Sequence, residues 1–333
     1  MNLRGYSAAQ RSVTVLAALL CVAAGVIPDS LSAQRHGNNS AWRLVWYDEF
    51  NGASIDTTRW AFDLGSGFSA DGGKTFVAGW GNNELQCYTR SPANVFVSNG
   101  RMHLRAMKAD SAGCAYTSAR VKTRAADGRA LFAQRYGRFE FRARLPVGRG
   151  LWPALWLLPL RDGYGGWAAS GEIDVMEARG QTPSTVLGTL HYGAGWPHNT
   201  YTGKDYVLPN GGSIADFHLY AVEWEPGRMR WLVDGVAYQT QAFWWSSSAR
   251  EGGQGRAPLR TSDVNPWPAP FDTPFYLVMN LAVGGNFLGS PDAATPFPSD
   301  VEVDFVRVYE RRGGIARVSP RGPGKLPGAA IPR

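Results

Sequence analysis

Cysteine is scarce in this chain: Cys21, Cys87 and Cys114 are the only three in 333 residues. No Cys/His cluster has zinc spacing, so a structural zinc site is excluded. There is no Ser-centred nucleophile elbow and no phosphate-cradling glycine loop, which sets aside those hydrolase and nucleotide chemistries. No long stretch carries a helical period, and no repeat of fixed length recurs. Past the N-terminus no apolar run approaches the ~20 residues a membrane span needs. Net charge is also missing where it would matter. The formal +7 is concentrated at the ends, with +2 in residues 1–35 and +6 in residues 311–333, leaving −1 for residues 36–310. A nearly neutral body argues against a nucleic-acid partner and against a strongly anionic polymer.

The N-terminus reads as an export signal over residues 1–33. Arg4 and Arg11 precede the apolar run Val13 to Ile27, and Leu31-Ser32-Ala33 offers a cleavage site. Leu20 is too large for a good lipoprotein signal at Cys21, and a retained N-terminal anchor is the alternative. The expected location is secreted or periplasmic, with no membrane span once the signal is removed. In that setting Cys87 and Cys114 can form one disulfide, if their Cα atoms approach closely enough. At the other end, residues 312–333 are basic and rich in Pro and Gly, the composition of a disordered tail.

Between the ends, strand-length alternating or apolar runs are separated by turn residues. They include Arg101 to Ala106, Arg138 to Leu145, Leu219 to Trp224, Met229 to Val233, Phe275 to Leu281 and Val301 to Tyr309. Such a chain folds as an all-β sandwich or barrel. Thirteen Trp residues serve either as core or as faces on which pyranose rings stack.

The chemistry concentrates in Gly171-Glu172-Ile173-Asp174-Val175-Met176-Glu177. On a strand, Glu172 and Asp174 share one face while Ile173 and Val175 take the other. Strict alternation would turn Glu177 away, and one extra residue at Val175-Met176, a β-bulge, turns it back. Three acids on one cleft face suit retaining glycoside hydrolysis, in which one carboxylate attacks the anomeric carbon and another acts as acid and then base. The middle acid raises and orients its neighbours through its like charge. The competing readings are a solvated edge strand, or metal binding by the acids. Ca²⁺, however, favours loop oxygens over one strand face. Trp152, Trp156 and the run Gly188 to Tyr192 read as flanking strands with a Trp-rich, His-bearing face.

Taken in order, these segments resemble family 16 of the glycoside hydrolases. Glu172 to Glu177 fits that family's Glu-x-Asp-x-x-Glu signature. VWYDEFNG (45–52), WGNNELQCYT (80–89), YGRFEFRARLP (136–146), GLWPALWLLP (150–159), GTLHYG (188–193), NLAVGGNFLG (280–289) and VDFVRVYE (303–310) agree along the chain. The nearest subgroup is the bacterial-type endo-β-1,3-glucanases, or laminarinases.

The resemblance implies a β-jelly-roll sandwich of two antiparallel sheets with a concave substrate cleft, a catalytic domain over residues 40–311. It implies a monomer acting on β-1,3- or mixed-linkage β-glucan with no cofactor for catalysis. Glu172 would be the nucleophile, Glu177 the acid/base and Asp174 the assisting acid, with His191 beside the acid/base. Trp152, Trp156 and Trp167 would stack on sugars. Asn83 and Arg120 would hydrogen-bond glucose on the glycone side. A structural Ca²⁺ remote from the cleft would be held by Glu49, the Gly100 carbonyl and Asp304.

The chain departs from the pattern at Cys87, Ala169 and Phe287 and over residues 240–272, so the cleft ends are expected to differ. The same fold also serves hydrolases of red-algal galactans and non-catalytic β-glucan-binding proteins. The latter lack the catalytic acids that this chain keeps.

Overall fold

The computed structural model describes residues 41–313 except 71, 72, 112 and 253. The export signal (1–33) and all but the first two residues of the basic tail (312–333) lie outside the described residues. Two large sheets dominate. The first, of seven strands, runs in the order Asn199–Val207, Thr185–Gly193, Glu172–Ala178, Leu151–Pro159, Phe275–Val283, Arg120–Lys122 and Ala61–Phe62. The second has ten strands, with Gly137–Arg144 paired to both His218–Glu225 and Ser299–Arg311 near its middle. Among the described strands, pairing is antiparallel except between Gln86–Tyr88 and Cys114–Ser118. The expected jelly-roll sandwich is what forms. Helix is limited to three-residue 3₁₀ turns among the described residues.

The alternating pattern explains the layers. In Gly137–Arg144, Phe139, Phe141 and Ala143 are fully buried, while Arg138 turns outward to bond Glu140 and Glu223. Ser299–Arg311 buries Val301 and Val303, then Val306 and Val308, a change of phase by one residue. A register shift opposite Arg142/Ala143 absorbs it. The outer face of this sheet carries a lattice of Arg–carboxylate pairs such as Arg105–Asp300 and Arg144–Glu302. That lattice accounts for the near-neutral body. Side chains from the inward faces of both sheets fill one core, from Leu155, Ile173 and Leu277 on one side to Phe141, Val222 and Trp231 on the other.

Cys87 and Cys114 are bonded, with Cα atoms 5.7 Å apart. The bond ties the short strand Gln86–Tyr88 to the hairpin beyond Arg101–Ser111.

Candidate active site

The carboxylate strand Glu172–Ala178 lies third in the seven-stranded sheet, between Leu151–Pro159 and Thr185–Gly193. Gly171 delivers the chain into it at φ +86, a conformation that favours glycine. A Cβ there would meet Phe271 at 2.7 Å. The bulge falls where the residue pattern puts it. Asp174 pairs with Thr189 and Glu177 with Leu187, so Val175 and Met176 together oppose the single residue Gly188. Val175 and Met176 are buried on the core side, and Glu177 rejoins the face of Glu172 and Asp174.

Gly188 is required for a second reason. The indole of Trp231, from the other sheet, lies against it and donates from Nε1 to the Asp174 carbonyl at 2.8 Å. A Cβ on Gly188 would come within 2.2 Å of Trp231 Cδ1 and 2.6 Å of Tyr238 Oη. The bulge is thus held from behind by a fully buried tryptophan. Trp231 reads from sequence only as an inward strand residue, and nothing in the run MRWLV marks its bond to the acid strand.

Each outer glutamate is braced by one indole. Trp167 Nε1 donates to Glu172 Oε2 at 2.9 Å, and Trp152 Nε1 donates to Glu177 Oε1 at 3.1 Å. His191 pairs across with Glu172 in the ladder. Its Nε2 lies 3.3 Å from Asp174 Oδ2 and 3.9 Å from Glu172 Oε1. It therefore stands at the Glu172 end of the row, whereas the resemblance places it beside Glu177, which faces Leu187 instead.

All three acids have pKa values raised to about 8, with burial the leading cause. For Glu172 and Glu177 the charge of Asp174 adds to the rise, and His191 partly offsets it. Like charges this close cannot all ionise at neutral pH, so the cluster shares protons.

The remaining sequence candidates distribute along the cleft. Trp156 pairs with Asp174 in the ladder and donates to Asn280 Oδ1 at 2.7 Å. Arg120 is wedged between the rings of Trp156 and Trp80, 4.6 and 4.8 Å from their centroids, and ion-pairs with Asp63 at 3.0 Å. Its guanidinium thus holds the wall together. Asn83, at φ 57, donates to Asn286 Oδ1 at 2.9 Å, an acceptor the residue pattern had not singled out. Phe287 packs on Trp152 at 4.9 Å, and the Arg179 guanidinium lies 3.8 Å from its ring centroid, at the Glu177 end. The unmatched segment 240–272 buttresses the opposite end. Trp245 accepts a backbone bond from Gly193, and Ser246 Oγ donates to the Ala169 carbonyl at 2.6 Å.

Two other features bear on ligands. Among the described residues, Glu172, Asp174 and His191 are the group whose ligand atoms gather within 4.8 Å, close enough for a metal ion. Two of them, Glu172 and Asp174, belong to the bulged carboxylate row. The calcium set does not fit as arranged. Both oxygens of Glu49 accept from Arg307 at 2.7 and 2.9 Å, and Asp304 accepts from Arg142 at 2.5 Å. Each carboxylate already has a guanidinium partner that Ca²⁺ would have to displace. A separate hollow of about 520 Å³, lined by Trp42, Tyr136 and Arg311, contains none of the acids.

Residues 82–243 match the model of the family described as glycosyl hydrolases family 16. The chain is 45% identical to glucan endo-1,3-beta-glucosidase A1 of Niallia circulans over 81% of its own length, and spans 38% of that protein. It is 40% identical to a beta-glucanase of Rhodothermus marinus, covering 84% of this chain and 89% of the relative. Among solved structures, the laminarinase catalytic domain of Thermotoga maritima is similar with a TM-score of 0.65 at 35% identity, covering 81% of this chain and 98% of that one.

Proposed function

The chain belongs to glycosyl hydrolase family 16, and on that footing we propose that it cleaves internal β-1,3-glucosidic bonds of laminarin-like or mixed-linkage β-glucans with retention at the anomeric carbon. The observation that carries this reading is the bulged strand, which gathers Glu172, Asp174 and Glu177 on one face with an indole fixing each outer glutamate. Relatives named as endo-1,3-β-glucosidases and laminarinases support the choice of glucan.

In the first step the ionised Glu172 attacks the anomeric carbon. Trp167 holds one of its oxygens in line. Glu177 gives its proton to the glycosidic oxygen as that bond breaks, and a glycosyl ester of Glu172 remains. In the second step Glu177, now ionised, takes a proton from water. The water oxygen bonds to the anomeric carbon, and Glu172 leaves as carboxylate. The negative charge moves from Glu172 to Glu177 and back, and the total charge in the cleft stays constant. Burial first, and the charge of Asp174 after it, keep the protonated glutamate from ionising early. That is how a buried acid stays ready to donate near neutral pH. Glycoside hydrolysis of this kind needs no cofactor.

We place the enzyme outside the cytoplasm as a monomer. The Cys87–Cys114 bond and the apolar leader of the sequence support export. No helix among the described residues is long and apolar enough to cross a membrane.

Product analysis after separate incubation with laminarin, lichenan, agarose and κ-carrageenan tests the assignment. Short oligosaccharides from laminarin are expected. Activity on a galactan alone would overturn the substrate assignment while leaving the acids their roles.

A further inference from the structure

Glu172, His191 and Tyr201 stand directly opposite one another on three neighbouring strands, so their side chains form one row across the cleft face. The ring of Tyr201 lies 5.7 Å from that of His191, which lies 5.5 Å from Trp167. Tyr201 is 68% exposed although its strand is a full member of the sheet. The strand does not need it for packing. Thr202, bonded to Tyr192, and Tyr206, stacked on Tyr238 at 4.8 Å, fasten the opposite face. Beside Tyr201 the floor is low, because Gly203 has no side chain and only that of Thr189 reaches over it. Gly203 lies across from Thr189, and a Cβ there would come within 2.9 Å of Thr189 Oγ1. An upright aromatic beside a low floor of glycine and a small threonine has the form of a sugar subsite.

The direction follows from the sheet order. Trp156 and Arg120 lie on the long arm of the sheet, on the side of Leu151–Pro159, and the family resemblance gives Arg120 and Asn83 to the glycone. The arm through Thr185–Gly193 to Asn199–Val207 is left for the leaving group. Tyr201 is two strands from Glu172, about 10 Å away, which is beyond the first leaving sugar.

Resting on the glucanase reading, we infer that Tyr201 is the stacking platform for the second sugar of the leaving-group side. A glucan held there after the first step would compete with water. Its hydroxyl proton would pass to Glu177, its oxygen would bond to the anomeric carbon, and the ester bond to Glu172 would break, giving a transglycosylation product.

The test compares kcat/KM for a laminari-oligosaccharide long enough to fill both arms with kcat/KM for an aryl β-laminaribioside, whose leaving group reaches only the first position. Tyr201→Ala is expected to lower the long-to-aryl ratio about three- to tenfold, the worth of one aromatic contact. It should also reduce the share of transglycosylation products, and Tyr201→Trp should restore both. Equal losses on the two substrates would reveal a folding role and overturn the inference, as would an unchanged ratio. Wild-type protein inert towards every β-1,3-glucan, yet active on another polysaccharide, would overturn the underlying glucanase reading instead.

Discussion

Replacing Gly188 with alanine probes the device on which the cleft depends. The added Cβ would meet Trp231 Cδ1 at 2.2 Å, Trp231 Nε1 at 2.6 Å and Tyr238 Oη at 2.6 Å. Trp231 is fully buried and cannot swing away into solvent. Overpacking of this kind costs about 1–3 kcal/mol, and three clashing atoms place the cost near the top of that range. Displacing the indole also breaks its bond to the Asp174 carbonyl, worth about 1 kcal/mol. Gly188→Ala should therefore lose about 3–4 kcal/mol, by sum of the two terms. Activity should suffer more than stability implies, because a shift of about 1 Å in a reacting group can cost ~10²-fold in rate. Urea denaturation gives the first quantity, and kcat on laminarin, measured where the variant is fully folded, gives the second. Trp231→Phe separates the terms, since it removes the donor without adding bulk. A Gly188→Ala protein with wild-type midpoint and wild-type kcat would refute the claim that Trp231 and Gly188 together set the bulge.

Glu172→Gln should abolish turnover with the denaturation midpoint retained, and near-normal rates would remove Glu172 from the nucleophile's role. Trp152→Phe removes a bond that lowers the Glu177 pKa, so the alkaline limb of the kcat/KM profile should move to higher pH; a shift to lower pH would contradict the bond's assigned effect. The acids also make stability pH-dependent. The folded pKa of Asp174, at about 8, lies above its ordinary value. Its protonated form therefore supports the fold fully below the unfolded pKa, and that support is lost as pH rises through 8. Relative to wild type, Asp174→Asn should accordingly be more stable at pH 9 than at pH 4, as read from denaturation midpoints at the two pH values. Serine at both Cys87 and Cys114, which are 27 residues apart, should cost about 3–4 kcal/mol, checked by the same titration.

The carboxylate strand was legible because two simple rules meet in it. Period-two alternation fixes the face of Glu172 and Asp174, and a third acid one residue out of phase demands a bulge. The partner of that bulge was not legible. Gly188 reads as one more strand glycine, and Trp231 as one more core aromatic. Their contact joins residues 43 positions apart and depends on how the two sheets stack. The roles of Trp152 and Trp167 as hydrogen-bond donors were hidden for a similar reason. An indole beside an acid in the fold looks, in sequence, like a stacking surface. Arg120 shows the reverse. Its position resembles a sugar-binding one, but Asp63, Trp80 and Trp156 surround it, and only packing reveals that it is also part of the wall. The phase change in Ser299–Arg311 similarly belongs to pairing with Gly137–Arg144 rather than to either run alone.

The central claim is that Glu172 and Glu177 act in two displacements on a β-1,3-glucan. Proton NMR of the first reducing ends released from laminarin tests it most directly. The account requires the β-anomer to appear first and the α-anomer to grow in only by mutarotation. Initial release of the α-anomer would mean a single displacement by water, and Glu172 would not be the nucleophile.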